Sequence, residues 1–219
     1  MSLRDRLRLA VLISGRGSNL LALAQACRTG QLEADIVLVL ADRAEAAGVH
    51  ASAQLGLQTA RIERRSNRSE FEAALAEAID ASGATLVLLA GFMQVLSEPF
   101  VQRFAGRLLN IHPSLLPKFK GLHTHERALQ AGELEHGASV HFVTAQLDGG
   151  PVICQARVNV RPGETADSLA ARVLEVEHRL YPWAVQLIAD GRLELASSGI
   201  VFDGQVLPHP LQWNDANPA

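Results

Sequence analysis

Two kinds of apolar spacing alternate along the first half of the chain. Leu9-Ala-Val-Leu-Ile13 and Ile36-Val-Leu-Val-Leu40 are unbroken apolar runs of strand length, the pattern of strands buried on both faces of a parallel sheet. Between them Leu20, Leu21, Leu23 and Ala24 recur at helical spacing over residues 18–28, and Gly30 stands where a helix end favours glycine. A second helix over 43–55 and a weaker strand over 57–62 follow. Phe71, Leu75 and Ile79 then mark an alanine-rich helix over 69–80. Strands over 84–89 and 107–111 flank a short helix over 99–105. This alternation predicts an α/β fold, a mostly parallel open sheet with helices on both faces.

The pattern changes after Pro113. A proline-marked loop over 113–121 leads to a short helix over 124–131. Strand-like stretches over 138–143 and 152–160 are joined by Leu147-Asp-Gly-Gly150, which predicts antiparallel strands toward the C-terminal part. A long helix over 165–189 and two short strands near Leu193 and Val201 complete the reading. With no internal repeat, low-complexity tract or linker, a single domain over 1–219 is expected.

Composition narrows the function classes. With 219 residues, 48% of them hydrophobic and 20% charged, the chain can bury a proper core. Its formal net charge of -3 argues against a surface built to neutralise nucleic-acid phosphates. The basic residues are scattered, the densest group being Arg61, Arg64, Arg65 and Arg68. Cys27 and Cys154 are too few for a disulfide framework or a four-cysteine zinc site. The opening apolar run is shorter than a membrane span and lacks a signal peptide's cleavage region, so no membrane association and a cytoplasmic location are expected.

Candidate chemistry gathers in two places. Ser14-Gly-Arg-Gly-Ser-Asn19 follows a buried strand and opens a helix. It lacks the third glycine of a dinucleotide loop, position 20 being Leu, and the Lys-Ser/Thr of a Walker loop. It is either a tight strand-to-helix turn or a cradle for a monophosphate at the helix N-terminus, and the spacing fits both.

The second place runs from Asn110 to Pro151. Asn110 and His112 are two apart at the end of an apolar strand, so their side chains share a face. An amide beside an imidazole suits an oxygen that gains negative charge in acyl transfer. Asp148 lies in a Leu-Asp-Gly-Gly-Pro turn from which its carboxylate can turn inward to orient a histidine. Structural readings stand beside these: Asn before a proline loop is a common turn former, Asp-Gly a common hairpin signal, and a lone His a common hydrogen-bonder. Five of the eight histidines (His112, His123, His125, His136 and His141) fall close together. Their spacing fits neither H-E-x-x-H nor a zinc finger, so no catalytic metal is expected. Bonding to a catalytic neighbour, a core position or a helix cap are the roles open to His123 and His141.

Several of these segments resemble the folate-dependent phosphoribosylglycinamide formyltransferase family. They are Val11–Leu20, Leu89-Ala-Gly-Phe-Met93, Leu108–Lys118 with its His-Pro-Ser-Leu-Leu-Pro core, Gly121-Leu-His-Thr-His125, Glu135–Val143 and Leu147–Ile153. The His-Pro-Ser-Leu-Leu-Pro stretch is common to formyl-folate enzymes; the glycine loop and the chain length narrow the resemblance. It implies a Rossmann-like fold with a phosphate-binding half over 1–105 and a folate-binding and catalytic half over 106–219. The implied reaction moves the formyl group of 10-formyltetrahydrofolate, the co-substrate, to the glycyl amine of glycinamide ribonucleotide. The amine attacks directly, through a tetrahedral intermediate and without a covalent enzyme adduct.

The residues implied follow by position. Asn110 and a protonated His112 would stabilise the oxyanion while Asp148 keeps His112 charged. Gly17, Ser18 and Asn19 would grip the substrate phosphate and Glu177 its ribose hydroxyls. Leu89, Phe92, Met93, Gln94, Val95, Leu96 and Val143 would form the folate slot, with Arg68 either facing the folate's acidic tail or simply solvated. Gln94 stands where many members carry Arg, and Leu174 where some use Gln; Arg16 is expected to compensate for the latter. A monomer or homodimer without nucleic-acid partners is expected. Other formyl-folate enzymes are the nearest rivals. A tRNA formyltransferase would need a further C-terminal RNA-contacting domain, and a formyl-folate hydrolase an N-terminal regulatory one. A sugar-nucleotide formyltransferase or a catalytically dead nucleotide-binding module are the remaining readings.

Overall fold

In the computed structural model the apolar runs become the inner strands of a sheet. The structure describes residues 6–43, 46–63 and 67–214. The chain divides between Leu109 and Asn110 into two units. The first contains β1 (Leu7–Ile13), α1 (Ser18–Thr29), β2 (Ala34–Ala41), α2 (Ala47–Gln54), β3 (Thr59–Arg61), α3 (Arg68–Ser82), β4 (Leu86–Leu89) and α4 (Glu98–Arg103). β5 (Leu108–His112) spans the division. The second continues with α5 (Thr124–Gln130), β6 (Glu135–Phe142), β7 (Val152–Asn159), α6 (Ala166–Ala189), β8 (Leu193–Ala196), β9 (Gly199–Phe202), β10 (Gln205–Val206) and β11 (Leu211–Trp213). The main sheet has eight strands in the order β11-β7-β6-β5-β4-β1-β2-β3, and β10-β9-β8 form a small second sheet.

In the first unit β1 pairs in parallel with both β2 and β4, and β2 with β3. Leu9 through Ile13 are fully buried, as expected of a central strand covered on both faces. Each large apolar side chain so buried contributes about 1.5–3 kcal/mol. The helix ends follow from local chemistry. Gly30 and Gly83 take left-handed conformations that close α1 and α3. Asn67 caps α3 by accepting from the Ser69 and Glu70 amides, and its own amide donates to the Glu70 carboxylate at 2.8 Å.

The second helix is shorter than the apolar pattern predicts. It begins at Ala47, not 43 (residues 44–45 lie outside the described ones). The Gly48 amide donates to the Gly15 carbonyl at 3.1 Å, so a first-turn N–H that lacks an intrahelical partner is satisfied by the glycine loop. A Cβ on Gly17 would stand 2.9 Å from Gly48 Cα, which makes this a site of backbone-to-backbone approach.

In the second unit β6 and β7 are antiparallel, and the register slips between Val140 and His141. α6 packs on both strands, and Leu169, Val173, Leu180, Tyr181, Val185 and Leu187 lie on its buried face. Thr165 caps it by accepting from Ser168. β10 and β11 were not expected from the sequence: they are two and three residues long and carry no apolar run. β11 runs parallel to β7, Leu211 facing Cys154. Two glycines allow close strand approach here. A Cβ on Gly137 would collide with the Ala156 carbonyl oxygen, and one on Gly150 with that of Phe142.

Candidate active site

β5 presents Asn110 and His112 on one face because the strand alternates. Asp148 reaches His112 from the connection between β6 and β7, where it has φ 45°. One carboxylate oxygen, Oδ2, accepts the Gly121 amide at 2.8 Å and lies 3.4 Å from His112 Nδ1. His112 Nε2 is 3.0 Å from the Phe119 carbonyl. A carbonyl only accepts, so Nε2 carries a proton, and a ring protonated at both nitrogens satisfies both neighbours. The imidazole and the carboxylate are both buried to more than nine-tenths, where water screens their attraction little.

A fourth side chain completes the cluster. His141, nearly inaccessible, sits at the register slip of β6, and such bulges re-aim side chains beside functional sites. Its Nδ1 lies 2.9 Å from the Phe142 carbonyl and therefore donates. Burial pulls its pKa below the usual histidine range, against the opposing pull of that carbonyl and of Asp148. The neutral ring then has a lone pair on Nε2, which receives the Asn110 amide at 3.2 Å. The 3.7 Å separation of His141 Nε2 and Asp148 Oδ1 is thus a proximity of two acceptors, not an ion pair.

The loop after β5 is fastened from below by buried polar groups. Ser139 donates to the Ser114 carbonyl at 2.7 Å and accepts from the Leu116 amide at 3.0 Å. Gln155 donates to the Leu116 carbonyl at 2.8 Å and to Ser139 at 3.0 Å. The Leu116–Pro117 peptide is cis. Beyond this anchor Phe119 and His123 have φ 53° and 57°. Left-handed residues other than glycine cost about 1 kcal/mol or more each and gather at functional sites. Reading the sequence alone did not single out Ser114, Ser139 or Gln155. The available signal was a polar residue inside an otherwise apolar strand, since such a group must have a partner.

The remaining expected residues fall into separate groups. Gly17, left-handed, is the N-cap of α1, and Ser18 and Asn19 are its first two residues; the helix offers its N-terminal amides there. Glu177 lies on the buried face of α6. In the first unit Leu89, Phe92 and Leu96 are buried whereas Met93 and Val95 are largely exposed. Gln94 donates to the buried Asp42 at 2.5 Å. Arg68 binds Glu72 at 2.9 Å and the Val95 carbonyl at 2.7 Å. Val143, half-buried, directly follows β6. Of the basic group, Arg61 pairs with Glu63 at 2.6 Å, and Arg64 and Arg65 lie outside the described residues. Among the described residues no cluster of three or more His, Cys, Asp or Glu side chains could hold a metal, and no helix is long and apolar enough to cross a membrane.

Beside the cluster, His136 Nε2 lies 3.2 Å from His125 Nδ1. Burial first, and the neighbouring His125 second, push the His136 pKa down to about 4, against a bond to the Pro113 backbone. The unfolded chain takes up this proton near the ordinary value of 6.5, whereas the fold refuses it until about 4. Stability is therefore complete above about pH 6.5 and falls as the pH drops toward about 4. Melting temperatures across this range should fall for the wild type and fall less for His136→Asn. An identical decline in both proteins would assign the pH dependence to other groups.

Comparison with known proteins places this geometry. A family model described as formyl transferase matches residues 7–185. The phosphoribosylglycinamide formyltransferase of Escherichia coli (strain K12) is 47% identical over 204 residues, covering 92% of this chain and 96% of that protein. The enzyme of the same name from Haemophilus influenzae is 40% identical, with the same shares covered. The solved phosphoribosylglycinamide formyltransferase of Coxiella burnetii superposes with a TM-score of 0.92 at 43% identity, over 96% of this chain and 100% of that one. On this likeness, which runs through the Asn110, His112 and Asp148 segments, the chain belongs to the phosphoribosylglycinamide formyltransferase family.

Proposed function

We propose that this formyltransferase moves the formyl group of 10-formyltetrahydrofolate to the glycyl amine of glycinamide ribonucleotide, with Asn110, His112 and Asp148 as its catalytic residues. The observation that carries the mechanism is the contact of Asp148 with His112, set beside Asn110 on one strand face. The glycyl nitrogen attacks the formyl carbon, and the carbonyl π electrons move to oxygen as the C–N bond forms. His112, charged because Asp148 faces it, and the Asn110 amide donate to that oxyanion. Collapse re-forms the carbonyl and breaks the bond to folate N10. The proton lost by the amine is relayed through Asp148 to the departing nitrogen. Among the described contacts, His112 Nε2 meets the Phe119 carbonyl and Asn110 meets His141. The formyl oxygen takes the place of the Phe119 carbonyl, and the second N–H of the Asn110 amide serves it.

Gly17, Ser18 and Asn19 bind the ribonucleotide phosphate at the N-terminus of α1, whose first turn carries no acidic side chain to oppose it. Arg16, exposed in the same loop, compensates electrostatically for the amide contact that Leu174 cannot make to the phosphate. Glu177 receives the ribose hydroxyls. The 89–96 segment, with Arg68 and Val143, receives the folate. The protein acts in the cytoplasm, as monomer or homodimer, without a metal.

A formyl-transfer assay tests the reading. Mixed with both substrates, the enzyme should release one deformylated folate for each formylated ribonucleotide. No turnover is expected with water, an amino-sugar nucleotide or methionyl-tRNA as acceptor. Folate consumed without the ribonucleotide would identify a hydrolase and overturn the assignment.

A further inference from the structure

Glu72, on the second turn of α3, is a buried carboxylate with no part in the chemistry above. Acidic side chains are almost never buried without partners, and the partners here share a purpose. Oε1 accepts the Ser97 amide at 2.8 Å and Arg68 Nε at 2.9 Å. The other oxygen accepts the Ser97 hydroxyl. Arg68 donates in turn to the Val95 carbonyl at 2.7 Å. Ser97 is the N-cap of α4, its hydroxyl accepting from Phe100. Burial alone would raise the Glu72 pKa, but the hydrogen bonds from Ser97 and Arg68 outweigh it and hold the carboxyl below its ordinary range.

The same segment is fastened at its other end. The Met93 amide donates to the Ser14 hydroxyl at 2.8 Å, and the Ser14 amide to the Gly91 carbonyl at 3.2 Å. Between the two anchors Phe92 and Leu96 are buried, while Met93 and Val95 are 56% and 62% exposed. Two apolar side chains held outward on a segment tied at both ends make a fixed platform for the flat face of a heteroaromatic ring system, leaving its polar edge to backbone groups. Arg68 is fixed by the same carboxylate. With two of its N–H donors committed, the guanidinium plane is set before any ligand arrives. A planar fork so preorganised loses little freedom on meeting a carboxylate.

We infer that Glu72 is a positioning residue for the folate co-substrate, holding the 93–97 segment and the Arg68 guanidinium in the arrangement that receives the pteridine and the glutamate tail. The inference rests on the folate reading of the 89–96 segment, and it assigns Glu72 no contact with the reacting atoms.

Steady-state kinetics of the full chain with 10-formyltetrahydrofolate and glycinamide ribonucleotide provide the test. Glu72→Ala should raise the folate KM about tenfold, while kcat and the ribonucleotide KM stay within about twofold of wild type. Glu72→Gln keeps an acceptor for the Ser97 amide but drops the charge opposite Arg68, and should fall between the two. Ile79→Val, a fully buried position on the same helix, should lower Tm and leave the folate KM unchanged. This control separates loosening of α3 from loss of positioning. A folate KM within about twofold of wild type in Glu72→Ala, or an equal rise in both KM values, overturns the inference. Should Glu72→Ala fail to fold, Glu72→Gln decides by the same criterion. If the wild type transfers no formyl group from this folate, the underlying functional reading fails first, and the role of Glu72 with it.

Discussion

Replacing His112 by alanine should lower kcat about 1,000-fold or more while the protein stays folded. Removal of one oxyanion donor alone typically costs about 100- to 1,000-fold. Here the change also deletes the imidazole opposite Asp148, which is nine-tenths buried. Asp148 keeps the Gly121 amide at 2.8 Å, so the orphaned carboxylate retains one strong donor and the β6–β7 connection keeps its shape. The Phe119 carbonyl loses its partner, but the Ser114–Ser139–Gln155 network continues to anchor the loop. A small drop in Tm with unchanged circular dichroism is therefore expected. Turnover and both KM values from steady-state rates check this; kcat within tenfold of wild type would remove His112 from the chemistry.

Asp148→Asn should cost about 100- to 1,000-fold in kcat. Asparagine is the informative replacement because it tolerates the left-handed backbone that Asp148 adopts at φ 45°. Its amide oxygen can still accept from Gly121. What it removes is charge: a neutral amide beside His112 Nδ1 no longer favours the imidazolium, and it cannot carry the proton away from the attacking amine. The loss should fall on kcat, with both KM values changing by less than about threefold. Full turnover in this variant would mean that Asp148 serves only to close the turn onto Gly121, and the relay would have to be sought elsewhere.

Much of this site was open to reading from the residues in order. Alternation put Asn110 and His112 on one strand face, and the two glycines after Asp148 let its carboxylate turn inward, with structural readings still open beside each. The sheet was equally open, because unbroken runs such as Leu9–Ile13 have few other uses in a parallel architecture. What stayed hidden depends on partners far along the chain. His141 was open to a supporting role among others, but its place beside Asn110 comes with a register slip against β7, which no spacing within β6 encodes. Ser139 and Gln155 meet only once β6 and β7 are paired. Arg68 could be read as a solvated charge, since the Val95 carbonyl, which joins its near neighbour Glu72 in fixing the guanidinium, is brought to it only by folding. β10 and β11 are held by pairing rather than by any local preference.

Gly150 stands two residues from Asp148, and its absence of a side chain has a consequence for how variation in such enzymes is interpreted. Any larger residue there would press on the Phe142 carbonyl, as one at Gly137 would press on that of Ala156. Both positions should therefore resist substitution, for a reason different from the one proposed for His112. Variants at the glycines should fail in the amount of soluble protein that accumulates, whereas on the proposed mechanism variants at His112 should accumulate normally and fail in what each molecule can do. A survey that scores only the growth of a purine-dependent cell will merge these two classes. One that also counts protein should separate the positions that let β6 and β7 pack together from the one proposed to act in the chemistry.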